Sequence, residues 1–281
     1  MLNLYSFLIK ALDLIHPRLA AKLAYQLLSN PQIKKERQRE TELLDTAERL
    51  EFDFEGARVH GYSWGPEQGK PLLLIHGWEG HTGNFGALIE PLIQKGYRIY
   101  GFDAPSHGRS PSVKTNMFQY AQFLNEMLVR FTPEVIISHS FGTTSTALAL
   151  RALEKFALDQ WIMIASPYTF NSRIEMVRNQ YNIPQRTMTA LRPLIEHRSG
   201  ERIDALNFNH YRQYLDGVRQ ISIIHSRADT VVLYHYAEEI QKALPKANLL
   251  TLDKVGHYGI LWSQEMLKPV EELIPDLHNR S

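Results

Sequence analysis

Three residues far apart in the chain carry the side chains that acyl-transfer chemistry requires: Ser140, Asp229 and His257. A serine hydroxyl is a weak nucleophile until a base takes its proton, and the base needs a third group to hold it in the right tautomer. Ser140 stands in the run Val135-Ile136-Ile137-Ser138-His139-Ser140-Phe141-Gly142-Thr143-Thr144. β-Branched apolar residues lead into small ones there, and a helical pattern follows. That spacing predicts a sharp strand-to-helix turn exposing a strained serine, the nucleophile elbow. Gly142 fits the G-x-S-x-G pattern, whereas Ser138 stands where the first glycine usually does. Asp229 falls just past the apolar segment 221–224, and His257 just past 249–252, within Val255-Gly256-His257-Tyr258-Gly259. Singly these are weak signals, because a loop Asp commonly caps a turn and a His beside Gly is commonly structural. Together, in the order Ser, Asp, His and each after a strand-like segment, they point to one constellation.

Such a constellation forms only if all three loops open on the same edge of a sheet. From residue 50 onward the hydrophobic pattern supplies that sheet. Segments 50–54 and 57–64 read as an opening hairpin about Glu55-Gly56. Short apolar runs at 72–75, 97–102, 135–137, 161–165, 221–224 and 249–252 read as strands buried on both faces. Helical patterns at 85–95, 118–131, 143–156, 236–244 and 258–273 alternate with them. Strands alternating with helices predict a parallel sheet covered on both sides, with ligands bound at the carboxyl ends of the strands. Between 168 and 217 the alternation stops, and the stretch carries aromatics (Phe170, Tyr181, Phe208, Tyr211, Tyr214) with turn residues Pro184, Pro193 and Gly200. It is expected to be a helical lid rather than a loop. The expected organisation is a helical extension at 1–49, a core at 50–167 and 218–281, and the lid at 168–217.

With these elements in place the chain resembles the α/β-hydrolase superfamily, from about residue 50 to the last helix. The resemblance rests on His76-Gly77, on 103–110, on 138–142, on Asp229 and on Gly256-His257. It is similar in particular to bacterial members with an added N-terminal helical segment. The fold so implied is an α/β-hydrolase fold, a mostly parallel eight-stranded sheet with helices on both faces and a small helical lid. The resemblance further implies that Ser140 is the nucleophile, His257 the general base and later the acid, and Asp229 the residue that orients it. The oxyanion donors would be the backbone N–H groups of Phe141 and Trp78. Gly77, in a glycine-rich loop that can approach the substrate, and Tyr168, at the start of the lid, are expected at the substrate pocket. A serine at the elbow disfavours haloalkane dehalogenases and epoxide hydrolases, which resemble this fold but carry Asp there.

The remaining sequence limits the alternatives. The 281 residues have a formal net charge of +1, 44% hydrophobic and 22% charged residues, and no cysteine. That balance gives no reason to expect a nucleic-acid partner, and it excludes disulfides and thiolate chemistry. Residues 65–70 imitate a phosphate loop, but the spacing is short and Pro71 stands where Ser or Thr belongs. Neither H-E-x-x-H nor a G-x-G-x-x-G after a strand occurs, so no metal and no cofactor is expected. The apolar start, 1–16, is interrupted by Lys10 and Asp13 and is too short for a membrane span. It lacks the features of a signal peptide, and a cytoplasmic location is expected. Residues 1–16 and 17–30 read as two helices packed on the core, with a homodimer or membrane-surface contact as the alternative. Residues 32–49 read as a solvated helix. The expected activity is hydrolysis of a small or medium carboxylic ester or thioester through an acyl-enzyme. The rivals are a triad hydrolase acting on a lactone, amide or carbon–carbon bond, and a non-catalytic ligand-binding relative.

Overall fold

The computed structural model describes residues 2–32, 35–113 and 115–278. In chain order the elements are α1 (Leu2–Ile15), α2 (Pro17–Ser29), α3 (Gln38–Asp45), β1 (Glu48–Phe54), β2 (Ala57–Trp64), β3 (Lys70–Ile75), α4 (Gly86–Gln94), β4 (Tyr97–Phe102), α5 (Met117–Phe131) and β5 (Val135–His139). There follow α6 (Phe141–Ala152), β6 (Leu158–Ile164), α7 (Phe170–Tyr181), α8 (Gln185–Ser199), α9 (Phe208–Tyr211), β7 (Val218–Ser226), α10 (His235–Ala243), β8 (Asn248–Leu252) and α11 (Gln264–Leu273). The strands form one eight-stranded sheet in the order β1-β2-β4-β3-β5-β6-β7-β8. The pairs β1–β2 and β2–β4 are antiparallel and the others are parallel.

The apolar runs behave as strands buried on both faces because alternate side chains enter two separate cores. Leu73, Ile136, Trp161, Met163 and Ile223 pack on one side of the sheet. Leu72, Leu74, Val135, Ile137, Ile162 and Ile224 pack on the other. This period-two division is what a strand's pleat imposes. The strand order reverses at β3, so the loops after β3 and β5 open side by side, at the switch point where open α/β sheets bind ligands.

Several local expectations give way to the tertiary structure. The helix after the elbow runs over Phe141–Ala152 rather than 143–156, and Glu154 and Lys155 beyond it turn into positive φ (32° and 64°). The closing helix predicted for 258–273 is split. A short 3₁₀ turn covers Ile260–Trp262, and α11 starts only after Ser263, whose side chain accepts the Met266 N–H as its N-cap. Pro193 is no turn residue but lies inside α8. Its missing hydrogen bond is tolerated because Met188, Leu191 and Ile195 of that helix are buried. Segment 168–217 holds α7, α8 and α9, with an isolated antiparallel bridge between Thr169 and Asn207.

Residues 32–49 are not a solvated helix. Only α3 is helical, and its Glu40 is 2% exposed. The Glu40 carboxylate accepts from Arg37 N–H (2.8 Å) and Asn84 Nδ2 (3.2 Å) and lies 3.4 Å from His81 Nε2. Glu36 pairs with Arg109 at 2.7 Å, and Glu79 accepts the Gln32 N–H at 2.7 Å. Glu40 thus clasps the loop after β3 and Glu36 the loop after β4, while Glu79 of the β3 loop reaches back to Gln32. Ile33 and Lys34 lie outside the described residues. Helix α2 buries Ala20, Ala24, Leu27 and Leu28 and packs on α8, whereas α1 leaves Phe7 and Leu14 65% and 79% exposed.

Candidate active site

Ser140 is the single residue between β5 and α6, with φ 52° and ψ −127°. Positive φ costs a non-glycine residue about 1–3 kcal/mol and must be held by its surroundings. Two backbone bonds hold it, Ser140 N–H to Ile164 C=O (2.9 Å) and Thr143 N–H to Ser140 C=O (3.0 Å). Position 142 must be glycine, because a Cβ there would lie 2.3 Å from the His76 carbonyl oxygen. Ser138, the departure from the elbow pattern, has its own work. Its hydroxyl accepts the Trp161 Nε1–H at 2.8 Å and shares a hydrogen with Thr143 Oγ1 at 2.9 Å. A glycine would leave the indole N–H of the fully buried Trp161 without a partner.

His257 Nε2 lies 3.0 Å from Ser140 Oγ, and its Nδ1 lies 2.7 Å from Asp229 Oδ2. With Nδ1–H donated to the carboxylate, the Nε2 lone pair faces the hydroxyl, which is the tautomer a general base needs. Asp229 is held in turn, since its Oδ1 accepts the N–H groups of Val231 (2.8 Å) and Val232 (2.9 Å). Burial drives the Asp229 carboxyl upward, but the bonds from His257, Val232 and Val231 together outweigh it. The net pKa falls below the usual carboxylate value.

Three further histidines surround the cluster. His225 lies 3.7 Å from Asp229 but donates Nε2–H to the Val232 carbonyl at 2.8 Å. Burial lowers its pKa, so it does not compete as an ion pair. The His139 ring is 4.9 Å from that of His257, and burial followed by the neighbouring His257 charge holds its pKa well below the ordinary value. His76 bonds locally: Nδ1–H donates to Gly77 C=O (2.7 Å) and Nε2 accepts the Ala104 N–H (3.0 Å). Burial lowers its pKa to about 4. Asp103 braces the same region, accepting Thr82 N–H (2.9 Å) from the loop after β3 and Arg109 N–H (2.8 Å) from its own turn.

Ser140 and His257 open into a cavity of about 520 Å³, also lined by Trp78 and Phe141, a size ordinary for a small-molecule site. A larger depression of about 760 Å³ lies between 51–53 and 125–130, and neither Ser140 nor His257 lines it. Phe141 opens α6, so its N–H has no acceptor within the helix. The Trp78 ring stands edge-on to Phe141, centroids 5.5 Å apart.

Two of the expected pocket residues are elsewhere. Gly77 lies beneath the cavity, where a Cβ would come within 3.0 Å of Ser140 Cβ, so it allows close approach of the loop instead of lining the wall. Tyr168 does not line the cavity either. Its side chain packs against the core, its carbonyl accepts the Phe208 N–H at 3.3 Å, and the neighbouring Pro167 forms the wall. Conversely Glu79, Arg173, Met176, Val232 and Tyr236 line the cavity without any pattern announcing them. Arg173 and Met176 sit in α7, whose face toward the sheet is set only when the chain folds. Among the described residues no group of three His, Cys, Asp or Glu side chains is placed to hold a metal ion.

A mostly parallel eight-stranded sheet with Ser140, His257 and Asp229 brought together at its rim is the architecture of the α/β-hydrolase fold. Residues 72–273 match the model of the alpha/beta hydrolase family, and the chain belongs to that family. A serine hydrolase-like protein of Danio rerio is 33% identical over 90 residues, which cover 30% of this chain and 27% of that protein. A non-heme chloroperoxidase of Burkholderia pyrrocinia is 38% identical over 50 residues, 18% of either chain. The chain thus matches less than a third of the length of these curated relatives. An esterase of Pyrococcus furiosus superposes with a TM-score of 0.62 at 18% identity, over 88% of this chain and 95% of that one, which is a likeness of fold. Among the described residues no helix is long and apolar enough to cross a membrane.

Proposed function

We propose that the protein is a serine hydrolase that cleaves a small or medium carboxylic ester or thioester through an acyl-enzyme. The observation that carries this reading is the continuous chain of contacts Ser140 Oγ to His257 Nε2 (3.0 Å) and His257 Nδ1 to Asp229 Oδ2 (2.7 Å), opening on a cavity. In this mechanism Ser140 Oγ attacks the substrate carbonyl as its proton passes to His257 Nε2. Asp229 stabilises the imidazolium. The tetrahedral oxyanion is met by the N–H groups of Phe141 and Trp78, and each such donor is worth about 10²- to 10³-fold in rate. His257 then gives the proton to the leaving alkoxide or thiolate. Water, deprotonated by the same nitrogen, releases the acid and restores the hydroxyl of Ser140.

In this reading 168–217 is the lid over the core formed by 50–167 and 218–281, with 1–49 as an extension. Support comes from α7, which supplies Arg173 and Met176 to the cavity wall. Labelling by a fluorophosphonate probe and turnover of p-nitrophenyl butyrate test the proposal. Both should occur in the native protein and disappear in Ser140→Ala. Undiminished turnover in that variant refutes the assignment.

A second reading concerns where the enzyme works. Leu4, Phe7, Leu8, Leu14, Ile15 and Leu19 are exposed along α1 and the start of α2. The exposed charges beside them are Lys10, Arg18 and Lys22, while Asp13, the acid of this stretch, is buried and bonded to Thr187 Oγ1 at 2.6 Å. An apolar stripe whose own exposed charges are Lys10, Arg18 and Lys22 fits an anionic lipid surface better than a second copy of the same cationic face. Vesicles of phosphatidylglycerol should retain the protein and phosphatidylcholine vesicles should not. Retention by neither, or a dimer that Phe7→Asp dissolves, overturns this reading.

A further inference from the structure

Arg173 is a cation in an unusual position. It lines the cavity that holds Ser140 and His257, and its guanidinium lies over the Trp78 ring, 5.4 Å from the centroid. Trp78 in turn touches Phe141, the residue after the nucleophile. A guanidinium has five N–H donors in a planar fork. Among the described residues its Nε is buried with no hydrogen-bond partner, and Nη1 reaches only the Met176 sulfur at 3.5 Å, a weak acceptor. The neighbouring carboxylates are occupied. Glu79 accepts the Gln32 N–H at 2.7 Å, and Glu175 pairs with Arg178 at 3.2 Å. Burial draws the Arg173 pKa down and the field of Glu79 opposes that shift, while no hydrogen bond joins the two side chains among the described residues.

A partly buried cation with an unused, fully buried donor is costly unless something arrives to use it, and a planar fork matches a carboxylate bidentately. We propose that Arg173 is a specificity-determining residue that binds a carboxylate on the substrate, so that the preferred ester or thioester carries an acidic group away from the scissile bond, as in a half-ester of a dicarboxylic acid. The rest of the cavity is consistent with such a substrate. Trp78 and Met176 offer apolar surface for the methylene spacer, and Trp78 links the cation to the residue beside the nucleophile.

This inference rests on the hydrolase reading above, and the experiment separates the two. The ratio of kcat/KM for mono-p-nitrophenyl succinate, glutarate and adipate to that for p-nitrophenyl butyrate is measured in the native protein, Arg173→Gln and Arg173→Lys. At least one half-ester should be preferred by the native protein. Arg173→Gln should lower that ratio by about 10- to 100-fold, the range for a hydrogen bond to a charged group. Arg173→Lys should recover part of it, since a point charge remains without the fork. Calorimetric binding of glutarate to Ser140→Ala, with and without Arg173→Gln, reads the same contact without turnover, and Glu79→Gln should strengthen it. An unchanged ratio, or glutarate bound equally with and without Arg173, overturns the inference. Loss of all turnover in the native protein with Arg173-dependent glutarate binding retained overturns the hydrolase reading alone.

Discussion

Asp229→Asn separates a triad from a mere cluster of polar side chains. The carboxylate has two distinct jobs: Oδ2 accepts from His257 Nδ1 at 2.7 Å, while Oδ1 accepts two backbone N–H groups, from Val231 at 2.8 Å and Val232 at 2.9 Å. An amide must choose between them. If its oxygen stays on the two N–H groups, its NH₂ faces His257 Nδ1, which must then become the acceptor. The imidazole proton moves to Nε2, where it points at Ser140 Oγ and can no longer receive the serine proton. The flipped amide would save the His257 contact but set an NH₂ against two buried donors, at about 1–3 kcal/mol for each unsatisfied group. Two bonds outweigh one, so the wrong tautomer prevails. A triad whose tautomer is inverted loses about 10⁴-fold in kcat, roughly 5 kcal/mol at 1.36 kcal/mol per tenfold. The assay is kcat and KM for p-nitrophenyl butyrate, with the urea midpoint as a check on folding. The expected result is a fall of about 10³- to 10⁴-fold carried by kcat, with the fold intact. A well-folded variant within tenfold of the native protein would refute both the tautomer argument and the role of Asp229.

Ser138→Gly restores the usual elbow pattern but removes the acceptor of the buried Trp161 indole N–H. It should destabilise by about 1–3 kcal/mol in urea unfolding, and a gain in stability would contradict the reason given for the serine. Gly142→Ala forces a Cβ to 2.3 Å from the His76 carbonyl and 2.9 Å from that of Ile75. A loss of about 3 kcal/mol or more is expected, measured by the same unfolding curve. The buried histidines predict acid sensitivity. His76, with a pKa lowered to about 4 by burial, is neutral in the fold, whereas an unfolded histidine protonates near pH 6.5. Between those values the unfolded state binds the extra proton, so stability rises with pH across the window and falls as pH drops from about 6.5 toward 4. The contribution approaches about 3 kcal/mol when the window has been crossed. His139 and His225 are shifted in the same direction. Denaturation midpoints measured from pH 7 to pH 4 check this, and a flat profile would refute the neutral assignment of His76, whose Nε2 must stay unprotonated to accept the Ala104 N–H.

What the sequence determined by itself was the sheet, because its information is local and repeated. Apolar runs such as Leu72 to Ile75 and Val135 to Ile137 are legible as strands buried on both faces, and in the folded chain their alternate residues divide between two cores. The order Ser140, Asp229, His257, each after a strand, was legible for the same reason, since a parallel sheet brings the ends of its strands to one edge. Tertiary structure alone decided the distances within that cluster and the side chains around it. Tyr168 is the aromatic a pattern would choose for the pocket, yet it packs against the core, while Arg173, a charged residue off the buried Phe170–Ile174–Val177–Tyr181 stripe of α7, reaches the cavity. Residues 32–49 look solvated because they are charged, yet Glu40 is buried against His81 and Asn84, partners 41 and 44 positions further along the chain. Such contacts leave no local period in the sequence. They depend on how α3 and α7 pack against loops remote from them, and that is settled by the balance of burial and hydrogen bonding over the whole fold.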